Sequence, residues 1–242
     1  MGRSMIIGMA GAGGDGIVSA GESLITAIAL EGYHGIMTKS FGSQIRGGES
    51  SCRLRISARP VLHPGGTLDV AVALNWEDFL KFGAELTVGG QTVVIYESKT
   101  GLPPDQIPLS GVRPRETVAV PITEMAKDVA GTDRAKNTVV LGLLAGWFGI
   151  ARESLLAGIR KKFAKKGADL VASNERAFAA GVEYAESHPL RTPLRIDPPD
   201  AHLAPVALQE RRHDEHRGGL PRAVRSDEAE HGTLGHLEVG ST

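Results

Sequence analysis

The residues best suited to chemistry lie in two glycine-rich turns, each preceded by a short apolar run. The first turn spans residues 11–16 (GAGGDG) and the second spans residues 40–49 (SFGSQIRGGE). Because glycine lacks a Cβ atom, a glycine-rich turn at the end of a strand can expose backbone N–H groups to an anion. Two such turns, close together in the sequence, predict one binding edge of an α/β sheet.

The first turn matches the dinucleotide-binding pattern G-x-G-x-x-G through Gly11, Gly13 and Gly16. An apolar stripe with helical spacing over residues 17–30 predicts the helix that should follow it. The next strand, however, ends at Lys39, where a dinucleotide site has an acidic residue for the ribose hydroxyls. Three interpretations therefore stay open: an NAD(P) site in which Lys39 meets a 2′-phosphate, another kind of anion site, and a purely structural turn.

The second turn carries an arginine among small and polar residues. Arg46 lies between Ser43-Gln44 and Gly47-Gly48. Its guanidinium group is planar and permanently charged, so it can bind a carboxylate or a phosphate through two parallel hydrogen bonds. The alternative is a structural arginine that donates hydrogen bonds to loop carbonyl groups.

Residues 50–57 alternate between polar and apolar side chains, which is typical of a half-buried strand. The alternation directs Cys52 to the core and Arg53 and Arg55 outward. Cys52 is the only cysteine of the chain, which excludes a disulfide framework and a cysteine-ligated iron–sulfur cluster within it. This cysteine content agrees with a reducing, cytoplasmic setting.

The rest of the chain alternates between strand and helix patterns. Strands are predicted at 68–74, 92–96 and 117–120, and helices at 76–82, 121–131, 135–148, 153–165 and 168–186. This order predicts a single three-layer α/β domain with a mixed, mostly parallel sheet. The face of small residues on the helix at 135–148 favours tight packing inside the domain or at a subunit seam.

The composition of the chain excludes some classes of function and separates a folded domain from a tail. The net charge of −1 does not indicate a nucleic-acid partner, and no apolar stretch is long enough to span a membrane. Residues 189–242 contain no aromatic residue, so they cannot bury enough apolar surface to offset their ordering entropy. We therefore predict a folded domain over residues 1–188 and a disordered tail or linker over residues 189–242, with no metal site.

Several segments, in the same order, resemble the gamma domain of the 2-oxoacid:ferredoxin oxidoreductases. Residues 11–22 are similar to its GxGGQG opening, and residues 40–49 to its S(Y/F)GPxxRGG segment. Residues 69–75 resemble its DVLIALN strand, and residues 137–142 its NMVALG helix. Each segment is a weak signal alone, but their common order makes the resemblance specific.

The resemblance implies a non-redox, gamma-type subunit of a thiamine-dependent enzyme. Such an enzyme oxidatively decarboxylates a 2-oxoacid of the pyruvate or 2-oxoglutarate class to an acyl-CoA and passes the electrons to ferredoxin. Partner alpha and beta subunits would hold thiamine diphosphate, magnesium and the iron–sulfur clusters. The gamma-type subunit would pack on them, help to enclose coenzyme A, and be inactive alone.

No residue is predicted to be catalytic. The residues that we expect to contact coenzyme A or a partner subunit are Gly11, Gly13, Gly14, Gly16, Ser43, Gln44, Arg46, Gly47, Gly48 and Asn137. The chain departs from the family pattern at Asp15, where glutamine is usual, and at Ser43, where proline is usual. Asp15 adds a negative charge that argues against direct phosphate contact by the first turn. Two alternative functions are an NAD(P)-binding dehydrogenase domain and a non-catalytic assembly module.

Overall fold

A mixed six-stranded sheet forms the centre of the structure, a computed structural model that describes residues 4–42, 48–103, 105–109, 111–191 and 193–199. The described residues belong to one compact unit. The strands are β1 (Met5–Gly11), β2 (His34–Phe41), β3 (Ser50–Ser57), β4 (Val70–Ala73), β5 (Val93–Glu97) and β6 (Glu116–Val120). Their order is β2-β3-β1-β4-β5-β6. Strand β3 runs antiparallel to both neighbours, and the other pairs are parallel.

Helices cover both faces of this sheet. They are α1 (Ile17–Leu30), α2 (Trp76–Lys81), α3 (Ile122–Ala130), α4 (Lys136–Phe148), α5 (Arg152–Phe163) and α6 (Ala168–Ser187). One hydrophobic core joins the sheet to α1 and α3–α6, and a smaller core on the opposite face contains α2 and the loops around it. The predicted three-layer α/β class with a mostly parallel sheet is therefore confirmed.

The alternation predicted for β3 is confirmed, but its arginines do not simply point into solvent. Cys52, Leu54 and Ile56 are buried in the larger core. Arg53 lies on the opposite face, where its Nη1 donates a hydrogen bond of 2.8 Å to the carbonyl oxygen of Glu85. Loops that the strand pattern cannot reveal cover this face.

The small-residue face of α4 packs against α6 inside the domain. A Cβ atom added to Gly142 would lie 3.0 Å from the Cα atom of Gly181 on α6, and closer still to the carbonyl oxygen of Phe178. A Cβ atom on Gly146 would lie 2.6 Å from that of Ala185. The glycines therefore let the two helix backbones approach closely, and the interpretation as packing within the domain is confirmed.

The chain continues to pack on the domain after His188. Leu194 is 2% exposed and belongs to the larger core, against which Leu190 and Ile196 also pack. The backbone N–H of Arg191 donates a hydrogen bond to the Glu116 carboxylate at 3.0 Å. These contacts show that apolar side chains after residue 188 pack on the core, while the domain boundary at residue 188 stays a prediction. The tail prediction for residues 201–242 lies outside the described residues.

Candidate functional site

The two glycine-rich segments meet at the edge of the sheet where the parallel strands end. Gly11 at the end of β1 pairs with Ser50, and Ser50 pairs with Phe41 at the end of β2. Since neighbouring strands are spaced by about 4.8 Å, the ends of β1 and β2 lie roughly 10 Å apart. The expectation of one shared edge is confirmed for the described ends of both segments.

The first turn is folded by its own acidic residue. The backbone N–H of Ala12 donates to Oδ2 of Asp15 at 3.0 Å, and the backbone N–H of Asp15 donates to the carbonyl oxygen of Ala12 at 3.1 Å. Gly14 and Gly16 have φ values of 98° and 75°, in the left-handed region that side chains rarely adopt. Gly13 and Gly14 are exposed, so the tip of the turn presents bare backbone.

The negative charge of Asp15 is compensated by a lysine that the sequence reasoning overlooked. The Nζ atom of Lys136, the first residue of α4, lies 2.6 Å from Oδ1 of Asp15. The two side chains are only 18% and 13% exposed, respectively. The objection that Asp15 would repel a phosphate group is therefore removed by a contact distant in sequence. The available signal was the position of Lys136 directly before the predicted site residue Asn137.

Asn137 lies directly against the first turn, as its assignment to the site requires. Its Nδ2 atom is 2.7 Å from the position that a Cβ atom on Gly16 would occupy, so a side chain at position 16 would displace it. The neighbouring Thr138 is buried and donates a hydrogen bond of 2.8 Å to Oδ1 of Asn174 on α6. The structure thus brings together Gly11, Gly13, Gly14, Gly16 and Asn137.

The first turn leads into a helix whose N-terminus carries no side-chain cap among the described residues. Gly16 is the N-cap residue of α1, and its carbonyl oxygen accepts a hydrogen bond of 2.8 Å from the N–H of Ala20. The N–H groups of the first helical turn have no intrahelical partners, and the helix dipole adds a partial positive charge there. The exposed turn and this helix end form a surface suited to a bound anion.

The second turn is described only at its two ends. The backbone N–H of Gly42 donates to the carbonyl oxygen of Glu49 at 2.8 Å, which closes the base of the loop. Gly48 is half-buried and lies outside the strands. Ser43, Gln44, Arg46 and Gly47 lie outside the described residues, so their assignment to the site stays a prediction. Phe41, at the end of β2, is 68% exposed.

The base of this loop is tied to α2 by ion pairs. The Lys81 Nζ lies 3.6 Å from Oε2 of Glu49 and 3.3 Å from Oδ1 of Asp78. The hydrogen bond with Asp78 is the main cause that raises the pKa of Lys81. Asn75 caps α2, as predicted, because its side-chain oxygen accepts a hydrogen bond of 2.7 Å from the Asp78 N–H. The Lys81–Glu49 pair joins the end of the loop to α2, and the contacts of Asp78 order the beginning of α2.

The sheet order differs from that of a dinucleotide-binding unit. In that unit the strand after the first helix lies beside the first strand, whereas here β3 separates β2 from β1. Lys39, the candidate partner for a 2′-phosphate, forms an ion pair with Glu22 on α1. The position of β2 therefore differs from that in a dinucleotide-binding unit, and the Lys39 side chain is engaged in an ion pair within the domain.

Cys52 is placed as a core residue. It is 1% exposed, and burial raises the pKa of its thiol to about 12. Within the described ranges, no group of three or more His, Cys, Asp or Glu residues could hold a metal ion. None of the helices in the described part of the chain is long and apolar enough to cross a membrane.

Comparison with known sequences gives a consistent result. The family model described as pyruvate ferredoxin/flavodoxin oxidoreductase matches residues 6–184. The chain is 36% identical over 183 residues to the ketoisovalerate oxidoreductase subunit VorA of Methanothermobacter thermautotrophicus, an alignment that covers 74% of this chain and 36% of VorA. It is 31% identical over 184 residues to the 2-oxoglutarate synthase subunit KorC of Archaeoglobus fulgidus, covering 76% of this chain and 89% of KorC. The matched region thus spans about a third of VorA but most of KorC.

Solved structures with a similar fold include part of a longer enzyme chain and a separate subunit. The 2-oxoglutarate:ferredoxin oxidoreductase from Magnetococcus marinus, solved with 2-oxoglutarate, coenzyme A and succinyl-CoA bound, superposes with a TM-score of 0.72 at 31% identity. That match covers 83% of this chain and 34% of the other. The gamma subunit of a keto/oxoacid ferredoxin oxidoreductase from Geobacter sulfurreducens matches with a TM-score of 0.58 at 27% identity, covering 76% of this chain and 99% of the subunit.

Proposed function

Because the chain belongs to the pyruvate ferredoxin/flavodoxin oxidoreductase family, we propose that it is the gamma-type, non-redox subunit of a thiamine-dependent 2-oxoacid:ferredoxin oxidoreductase. In the assembled enzyme it supports the oxidative decarboxylation of a 2-oxoacid of the pyruvate or 2-oxoglutarate class to an acyl-CoA. The near-complete coverage of the separate Geobacter gamma subunit supports this role. Alone, the chain is inactive.

The observation that carries the proposal is the exposed first turn with its compensated charge. Gly13 and Gly14 present bare backbone beside the N-terminus of α1, where Gly16 is the N-cap residue, and the Asp15 carboxylate is paired with Lys136. This surface fits the phosphate groups of coenzyme A, because N–H groups at a helix N-terminus favour anions. Gly13, Gly14 and Asn137 would contact the bound coenzyme, whose thiol accepts the acyl group as a thioester. The turn itself binds and orients and does not react.

The redox groups do not fit this chain. Iron–sulfur clusters of the ferredoxin type need several cysteine thiolates, and the sequence contains only Cys52, which is buried beneath α1. We therefore assign the clusters to alpha- and beta-type partner subunits. On the family resemblance, we assign thiamine diphosphate and magnesium to the same partners and take ferredoxin as the electron acceptor of the complex. One structural feature supports docking on such partners, namely the exposed side chain of Phe41 at the end of β2.

Purification of the tagged full chain from its native cells, followed by identification of the proteins that bind it, tests this function. We expect stoichiometric recovery of a thiamine-diphosphate-binding subunit and an iron–sulfur subunit. The tagged chain in which Arg46 is replaced by lysine is purified in parallel, and it should either recover less of both partners or give a complex with lower coenzyme A-dependent turnover. Recovery of a monomer that binds NADH or NADPH would contradict the proposal and favour the dehydrogenase alternative.

A further inference from the structure

We infer that the Asp15–Lys136 ion pair positions the first glycine-rich turn against α4 and keeps it receptive to an anion. The identity of that anion as coenzyme A rests on the proposed function, whereas the mechanical role of the pair does not. Neither residue reacts. Both act through the backbone of the turn and through Asn137.

The Asp15 carboxylate connects two separate elements because it uses both of its oxygens. Oδ2 accepts the hydrogen bond from the Ala12 N–H at 3.0 Å and so closes the turn upon itself. Oδ1 lies 2.6 Å from Nζ of Lys136, at the start of α4. Since both side chains are largely enclosed, water and salt screen this attraction less than they would on an open surface. One side chain thereby ties Ala12, near the beginning of the turn, to the start of another helix.

This connection also determines where Asn137 lies. Asn137 follows Lys136 on α4, and its Nδ2 atom sits where a side chain on Gly16 would otherwise be. The tip of the turn has little support of its own, since a Cβ atom on Gly14 would meet nothing within 4 Å. Anchoring Lys136 therefore holds Asn137 over Gly16 while the tip stays open.

The ion pair also determines the net charge of the side chains beside the N-terminus of α1. With Lys136 in place, the carboxylate of Asp15 is neutralised and the positive end of α1 is free to attract an anion. Without Lys136, an uncompensated carboxylate remains beside that helix end and repels an anion. Loss of the lysine should therefore be worse for anion binding than loss of both charges together.

The test compares Lys136→Met, Asp15→Asn and the double variant in the full complex, with Lys127→Met as control. Lys127 is an exposed lysine on α3. Lys136→Met should raise the KM for coenzyme A about tenfold with kcat nearly unchanged. Asp15→Asn and the double variant should raise KM less, because asparagine can still accept the Ala12 hydrogen bond and no unpaired carboxylate is left. Lys127→Met should change neither constant.

Amide hydrogen exchange of residues 12–16 in the full chain alone gives a readout independent of activity. Lys136→Met should speed exchange at Ala12, and Lys127→Met should not. Unchanged exchange in Lys136→Met would overturn the positioning role, whatever the complex does. Faster exchange with an unchanged KM for coenzyme A would overturn the link to the ligand but leave the proposed function intact. A wild-type complex whose turnover does not depend on coenzyme A would instead refute the proposed function, and the exchange rates would still decide the role of the pair.

Discussion

Because α4 and α6 approach closely, we expect glycine-to-alanine replacement to have opposite effects on stability at two helical glycines, Gly142 and Gly158. Gly142 on α4 faces the α6 backbone, where an added Cβ atom would lie 3.0 Å from both the Cα atom of Gly181 and the N atom of Val182. Gly158 lies inside α5, and an added Cβ atom there would meet nothing within 4 Å. Glycine-to-alanine replacement inside a helix gains about 1 kcal/mol in conformational preference.

At Gly142 that gain should be outweighed by overpacking. The obstructing atoms belong to a helix backbone and cannot rotate away, so α4 and α6 must move apart. Overpacking of this kind typically costs about 1–3 kcal/mol, and lost contacts along the seam add to that cost. We expect Gly142→Ala to lower the free energy of unfolding by about 1–2 kcal/mol after the helix gain is subtracted. Gly158→Ala should raise it by up to about 1 kcal/mol.

Urea unfolding of the full chain, followed by far-ultraviolet circular dichroism, measures both variants against the wild type. A change of 1 kcal/mol corresponds to a shift in Tm of about 2–4 °C for a domain of this size. If Gly142→Ala raised the free energy of unfolding, as Gly158→Ala is expected to do, the described spacing of α4 and α6 would be wrong. Equal destabilisation by both variants would instead mean that the higher helix propensity of alanine does not stabilise α5 at position 158.

Three further predictions concern the chain end, the second turn and the thiol. Leu194→Ala should lower the free energy of unfolding, measured with urea, by about 2–4 kcal/mol. Truncation after residue 199 should leave Tm unchanged. An unchanged free energy of unfolding in Leu194→Ala would show that this segment does not dock on the core. Arg46→Lys should weaken coenzyme A-dependent turnover or subunit assembly by about ten- to a hundredfold while the isolated chain melts normally, and unfolding of the isolated variant would make Arg46 a fold residue. Cys52, whose thiol pKa is raised to about 12 by burial, should resist iodoacetamide at pH 8 until the chain is denatured, and rapid labelling of the native chain would contradict that burial.

Local patterns sufficed for the elements that position the site. The apolar run before Gly11 and the helical stripe after Gly16 predicted β1 and α1, because strand and helix periodicities differ within a few residues. The cap at Asn75 was predictable for the same reason, since its partner, the N–H of Asp78, lies only three residues away. Such features depend on neighbours in sequence alone.

Contacts between distant segments were beyond the sequence. The insertion of β3 between β1 and β2 depends on sheet order, which no local pattern encodes. From the sequence, the charge of Asp15 argued against phosphate contact. In the structure this charge is paired with Lys136, which lies more than a hundred residues away in the sequence. The burial of Leu194 could not be predicted, because one apolar side chain in a polar segment forms no periodic pattern and its contacts with the core are distant in sequence.

The central claim is that this chain is a required, non-redox part of a coenzyme A-dependent 2-oxoacid oxidoreductase. Its most direct test is ferredoxin reduction by the purified partner subunits, measured with and without the chain, on pyruvate, 2-oxoglutarate and 2-oxoisovalerate. We expect coenzyme A-dependent reduction with at least one of these acids only when the chain is present, and none from the chain alone. Equal rates with and without the chain, at saturating coenzyme A, would contradict the claim.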